Sequence, residues 1–144
     1  MTKYEKVFDR FKDGITDPDL LEFSLSLQTE MLVALMTKAI SKCERICKNE
    51  NLTDRCDVTL EFTHDISDEA IYIITEWMTV FWLEPFLNST ENLRNALSTK
   101  DFSFFSPANL LGKISDRYEL ARKHARSLTN EYSYVHADMS RLQS

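Results

Sequence analysis

The run from Ile71 to Leu87 constrains the fold more than any other feature of the chain. Read as a helix beginning near Asp68, it is apolar on most sides, with Tyr72, Thr75, Glu76 and Thr79 as its one polar strip. A helix that is hydrophobic nearly all round has to be surrounded, at the centre of its domain or in a subunit interface. Glu76 and Glu84 interrupt the run and it is short for a membrane span, so it reads as a buried core helix. Ser67 stands ahead of it as an N-cap. Asp68 and Glu69 suit the positive helix end, and Pro85 is expected to kink or end the helix.

What surrounds this helix is expected to be helical too. The 144 residues contain 2 glycines, Gly14 and Gly112, and 3 prolines, Pro18, Pro85 and Pro107. Sheet sandwiches, dinucleotide folds and phosphate-cradling loops need more turn glycine than that. The expected fold is all-α: four to five helices around the central apolar one, with a short extended segment near 58–62. The length fits one helical domain spanning 1–144.

Helical periodicity fills in the rest. Tyr4, Val7, Phe8, Phe11 and Ile15 share one face of a first helix, which Gly14 ends. Asp17 and Pro18 make an N-cap and first turn. A helical pattern then runs to about Lys48, with Leu20, Phe23, Leu27, Met31 and Ala34 on one face and Leu35, Ala39 and Ile46 close by. Ser24 and Ser26 mark a possible break into a short helix and a long one. Residues 49–65 form a polar loop or arm. Inside it Val58, Leu60 and Phe62 alternate with Thr59 and Glu61, which suits a short strand. A lone strand is unstable, so it pairs within the chain, pairs with a neighbouring chain, or is an irregular loop with buried anchors.

Ser89 or Thr90 would cap a short helix over 91–98. Residues 100–105 connect it, through Phe102, Phe104 and Phe105, to the helix start at Ser106 and Pro107. Phe102 and Phe105 are read as inward wedges and Phe104 as outward. In the last helix Leu110, Ile114, Ala121, Ala125, Leu128 and Tyr132 share a narrow face, with Arg117 at its edge, placed to meet a carboxylate. From about 135 to 144 the chain reads as a polar tail.

Net charge is -6, which disfavours general nucleic-acid binding. The acid excess lies before residue 113. Lys113, Arg117, Arg122, Lys123 and Arg126 then face only Asp116 and Glu119 in the next stretch. This basic stretch is either a solvated helix face or a surface that docks on another subunit's acidic half. The cysteines, Cys43, Cys47 and Cys56, are odd in number, and the charged N-terminus lacks an apolar leader, which suggests free thiols in a reducing compartment.

No pattern of chemistry emerges. His64, His124 and His136 are scattered, and the spacing of the cysteines with His64 matches no common zinc site. Glu76 and Glu84 lack a second carboxylate or histidine at helical spacing and read as rim or salt-bridge residues. Trp77, Phe81, Trp82 and Phe86 are core or an interface cluster. The expectation is a protein without catalytic site, cofactor or metal.

Three stretches carry a family resemblance: Trp82-Leu83-Glu84-Pro85; Thr99-Lys100-Asp101-Phe102 with Phe105-Ser106-Pro107-Ala108-Asn109-Leu110-Leu111; and the basic helix ending in Tyr132-Ser133-Tyr134. With the start of the chain, they resemble small all-helical head–tail connector (adaptor) proteins of tailed bacteriophages of Gram-positive hosts. The resemblance covers most of the chain, through packing and cap residues, and leaves 49–65 unmatched. It implies a structural virion protein of the phage neck, assembled in the host cytoplasm. Such a protein forms a ring, twelve copies by the portal's symmetry, that joins the portal to the next neck or tail protein. It would extend a channel through which DNA passes without sequence-specific binding, with no membrane contact. Candidate interface residues are Val58, Leu60, Phe62, Phe104, Lys113, Arg117, Arg122, Lys123, Arg126 and Tyr134. A cytoplasmic interaction module that grips a partner helix, or a small-ligand-binding bundle, is the alternative.

Overall fold

The computed structural model describes residues 1–25, 27–89 and 107–143; for Asn49, 107–109 and 136–143 it describes the backbone only. The fold is all-α with one small extended region. Five helices are described: α1 (Tyr4–Asp13), α2 (Pro18–Ser24), α3 (Thr29–Cys43), α4 (Asp68–Asn88) and α5 (Pro107–Gln143). A 3-10 turn (Lys48–Glu50) and two short strands, β1 (Arg55–Cys56) and β2 (Glu61–Phe62), lie between α3 and α4.

Local chemistry sets the helix starts. The Asp17 carboxylate accepts from the N–H groups of Asp19 (2.9 Å) and Leu20 (3.3 Å), with Pro18 in the first turn. Ser67 caps α4 by accepting from Ala70 N–H at 3.2 Å. The Glu50 carboxylate supports that cap from outside, accepting from both the N–H (3.1 Å) and the hydroxyl (2.6 Å) of Ser67. These bonds satisfy donors that a helix start leaves orphaned. Gly14 ends α1 in a right-handed conformation, φ -72°, so its left-handed freedom is not used.

α4 is the central helix, packed against α1, α3 and α5. Its buried side chains include Ile71, Ile74, Met78, Trp82 and Leu83. Trp82 stacks on Phe23 of α2 (centroids 5.1 Å apart) and meets Phe11 of α1 edge-on at 5.6 Å. Such aromatic pairs add about 0.5–1.5 kcal/mol each beyond their area burial. The polar strip of α4 is buried as well: Thr75, Glu76 and Thr79 are inaccessible. The two threonine hydroxyls donate back to Tyr72 O (2.9 Å) and Thr75 O (3.0 Å). Their cost of burial is thus met within the helix, and only Glu76 needs a partner from another element. No single helix among the described residues is long and apolar enough to cross a membrane.

Several expectations are corrected. α4 reaches Asn88, as the apolar run to about Leu87 implies, so Pro85 does not end it. Proline there forfeits one hydrogen bond near the helix end, where few turns remain to be disrupted. The break between α2 and α3 is real, and it resets the helical phase. Leu20 and Phe23 are buried, but Met31 and Ala34 face solvent, and α3 buries Leu32, Met36, Ala39, Ile40 and Cys43 instead. The polar tail continues α5 as helix to Gln143. α5 is 37 residues long, which spans about 55 Å at the α-helical rise.

The extended segment is also rearranged. Val58 and Leu60 lie in a turn, not a strand, and only Glu61–Phe62 is extended. β2 pairs antiparallel with β1, Arg55 opposite Phe62 and Cys56 opposite Glu61. The first residues of the chain lie on its other side. Phe62 N–H donates to Thr2 O (2.7 Å) and Tyr4 N–H to Leu60 O (2.9 Å). Thr2 Oγ1 accepts from Ile66 N–H at 2.8 Å. The unseen pairing partners are therefore both inside the chain, at Arg55–Cys56 and at the N-terminal residues. Tyr4 OH donates to Asp57 (2.6 Å); burial, and then this bond, push its phenol well above the usual range.

Candidate functional site

α5 carries the site, because its two sides are chemically opposite. The inner side holds the anticipated stripe: Leu110, Ile114, Ala121, Ala125 and Tyr132 are buried and Leu128 partly so. Ala121 and Ala125 form a small cluster with Val80 of α4, flanked by Trp77 and Tyr118. Small side chains at that crossing let the two helices approach closely. Trp77 Nε1 donates to Thr129 Oγ1 at 3.0 Å, and Thr129 donates on to Ala125 O at 2.6 Å.

Glu76 finds its partner on this inner side. Arg117 Nη2 donates to Glu76 Oε1 at 3.3 Å and reaches Gly14 O at 3.4 Å. The side chains of Arg117 and Glu76 are only 15% and 6% exposed. The pair thus joins α4, α5 and the end of α1 in low-dielectric surroundings, where a carboxylate without a counter-charge is costly. His124 Nδ1 lies 3.7 Å from the other oxygen, Glu76 Oε2. That oxygen and Arg117 Nη1 make no further hydrogen bond among the described residues.

Lys113 is also held internally. Its ammonium lies between Asp17 (3.5 Å) and Asp19 at the start of α2. The bond to Asp19, and secondarily the field of Asp17, raise its pKa. Two of the five expected basic interface residues are therefore structural, fastening α5 to α1, α2 and α4.

The other three face outward. Lys123 and Arg126 are exposed and Arg122 is partly exposed. None of them makes an ion pair with another described residue. With Glu119 and Leu120 they line an open groove of about 480 Å³. Leu120 is 49% exposed, and farther along α5 Tyr134 is 70% and Val135 48% exposed. The result is a cationic strip edged with apolar side chains. On α1, Glu5, Asp9 and Asp13 are exposed at helical spacing and form an acidic stripe.

Compared with protein-family models, curated proteins and solved structures, the chain finds no match.

The remaining expected interface residues divide. Val58, at the hairpin tip, is 91% exposed. Leu60 is partly buried and packs on the core, with a positive φ of 58° held by its bond to Tyr4. Phe62 is wholly buried against Tyr4, centroids 5.0 Å apart, so it is core and not interface. Phe104, the 91–98 helix and the connection through Phe102 and Phe105 lie outside the described residues. Of the aromatic group on α4, Trp82 is core, whereas Trp77 and Phe81 are partly exposed and stacked at 6.1 Å.

One buried cluster escaped the sequence reading. Cys43, Cys47, Glu50 and Tyr132 gather where α3 ends, α4 begins and α5 passes. Tyr132 OH donates to Glu50 Oε1 at 3.4 Å and stands beside the Cys47 sulfur. The helical spacing of Cys43 and Cys47 was a legible signal, and Tyr132 on the inner stripe of α5 was another. Nothing local in the sequence joins the two.

Proposed function

We propose that this chain is a structural protein whose work is association: a ring-forming connector of a phage neck. It would join the capsid portal to the tail or to the next neck protein, line a passage for DNA, and act in the virion without a cofactor. One observation carries the reading most directly. After Lys113 and Arg117 are used inside the fold, Arg122, Lys123 and Arg126 remain as an outward cationic strip beside exposed Leu120. A cyclic ring needs two different, complementary patches on each copy. The acidic stripe Glu5, Asp9 and Asp13 on α1 supplies the matching sign. Complementary charge speeds encounter and fixes register more than it adds affinity, which suits subunits that gather only where a template presents them. The resemblance of the 99–111 segment and the Tyr132-Ser133-Tyr134 end to phage connectors points the same way.

The test is to mix the purified chain with the portal protein encoded in the same genome. Light scattering and negative-stain images should show collars bound to portal rings, twelve copies to each. A chain that stays free of the portal at every ratio, under low salt, overturns the proposal. Capture of a single monomeric partner instead would favour a cytoplasmic interaction module.

A further inference from the structure

Two thiols at the end of α3 carry chemistry that the association proposed above does not use. Cys43 is the last residue of α3 and Cys47 follows one turn on, its N–H donating to Cys43 O at 2.8 Å. Both are buried. The Cys43 S–H has two acceptors in reach, Ala39 O at 3.4 Å and the Cys47 sulfur. The Cys43 thiol and the Tyr132 hydroxyl both stand beside the Cys47 sulfur, although the Tyr132 proton is directed to Glu50 Oε1 at 3.4 Å. Cys47 also lines a surface pocket of about 300 Å³, together with Arg45, Lys48, Leu52 and Thr53. A water molecule's share of liquid is about 30 Å³, so a molecule as small as hydrogen peroxide fits there easily.

We propose that Cys43 and Cys47 form a peroxide-reactive dithiol, Cys47 attacking as the thiolate and Cys43 resolving. The Cys47 sulfur takes one oxygen from hydrogen peroxide as the O–O bond breaks, giving a sulfenic acid and, after protonation, water. The Cys43 sulfur then attacks the sulfenic sulfur. Its proton leaves with the departing hydroxide as a second water, and the S–S bond forms. The two thiols lose two electrons and two hydrogens, and the peroxide is reduced to two waters. Sulfur hydrogen bonds support these roles. The bond from Cys43 lowers the pKa of Cys47 despite its burial, whereas the same bond and burial raise that of Cys43. Helical neighbours one turn apart hold Cβ atoms about 5–6 Å apart, against about 3.5–4.5 Å in a disulfide. Cys47 lies beyond the helix, at φ -94° and ψ 43°, so its turn can close that gap. Closure would draw the sulfur away from Tyr132 and loosen the junction of α3, α4 and α5.

The test uses the full chain with Cys56→Ser, since Cys56 is exposed and would compete. After peroxide and alkylation, trypsin cuts at Lys42, Arg45 and Lys48. Cys43 then leaves in Cys43-Glu44-Arg45 and Cys47 in Ile46-Cys47-Lys48, and a disulfide holds the two tripeptides together. The joined peptides should form in the folded chain several-fold faster than in the same chain unfolded in urea. Cys43→Ser should leave a dimedone-trappable sulfenic acid on Cys47, and Cys47→Ser should leave Cys43 unoxidised. Joined peptides that form no faster in the folded than in the unfolded chain would overturn the proposal. So would oxidation of Cys43 at an unchanged rate in Cys47→Ser. The comparison of folded with unfolded chain keeps both thiols, so its outcome does not depend on the serine variants folding.

Discussion

The basic stretch of α5 divides into two halves with opposite fates. Lys113 and Arg117 point into the fold and meet Asp17, Asp19 and Glu76. Arg122, Lys123 and Arg126, about one and a half to two and a half turns beyond Arg117, border an open groove. Five cations of similar chemistry thus do two jobs, and position relative to the buried stripe decides which. Arg117 sits at the edge of that stripe, beside the one carboxylate that α4 buries. The other three lie farther round the helix, where no described carboxylate pairs with them. A run of like charge in a sequence is therefore not one feature but a mixture of fasteners and surface.

Breaking the inner half should cost most. Arg117→Leu leaves Glu76 buried with only half-exposed His124 near it, and removal of one member of a buried pair costs about 3–5 kcal/mol. Chemical denaturation should show that loss. The double variant Glu76→Met with Arg117→Leu should recover much of it, because no uncompensated charge remains. A single variant as stable as the parent would mean that the pair fastens nothing. Next comes the helix crossing itself. Ala121→Leu puts a larger side chain where Val80 and Ala125 close the contact, and overpacking of this kind costs about 1–3 kcal/mol. If thermal unfolding is unchanged, α4 and α5 do not approach there as closely as the buried alanines imply.

The inner half was largely readable and the reasons are local. A 3.6-residue stripe from Leu110 to Tyr132 fixed which side of α5 turns inward, and so placed Arg117 at its edge. The caps at Asp17 and Ser67 are sequence-local devices, and both form as read. What stayed hidden depends on the meeting of distant segments. The pairing of Phe62 with Thr2 and of Tyr4 with Leu60 bridges most of the first half of the chain. Alternation of Val58, Leu60 and Phe62 imitated a strand, but Leu60 turns to positive φ and breaks the alternation. The shifted face of α3 has a similar cause: the break after Leu25 rotates everything that follows. Glu50 illustrates the limit best. Its carboxylate completes the α4 cap at Ser67, seventeen residues later, a role no spacing rule announces.

Lys113 tests the boundary between the halves. Its pKa is raised by Asp19 and Asp17, so its contribution is present below the ordinary lysine range and fades as pH rises through the raised value. Lys113→Ala should lower the melting temperature less than Ala121→Leu does. The difference should hold across neutral pH, shrink with added salt and disappear in strong alkali. A deficit that persists after lysine has lost its proton would assign the effect to lost packing of the side-chain stem.

The outer half should matter least to stability and most to association. Arg122→Glu, Lys123→Glu and Arg126→Glu together change side chains without ion-pair partners among the described residues. Surface substitutions of this kind usually stay within about 0.5 kcal/mol each, so the folded fraction should be nearly unchanged. Binding to the portal or to other copies should fall sharply, and raising salt should weaken the parent chain toward the variant. Reversing Glu5, Asp9 and Asp13 to lysine in the same chain should restore part of the lost association if the two stripes meet. The second reversal also returns the net charge to -6, so direct pairing is read from a rescue that three lysines at other exposed positions do not give. If the charge-reversed chain assembles like its parent, the outward cations are a solvated face. The connecting surface must then be sought at Val58, Tyr134 or the segment leading into α5.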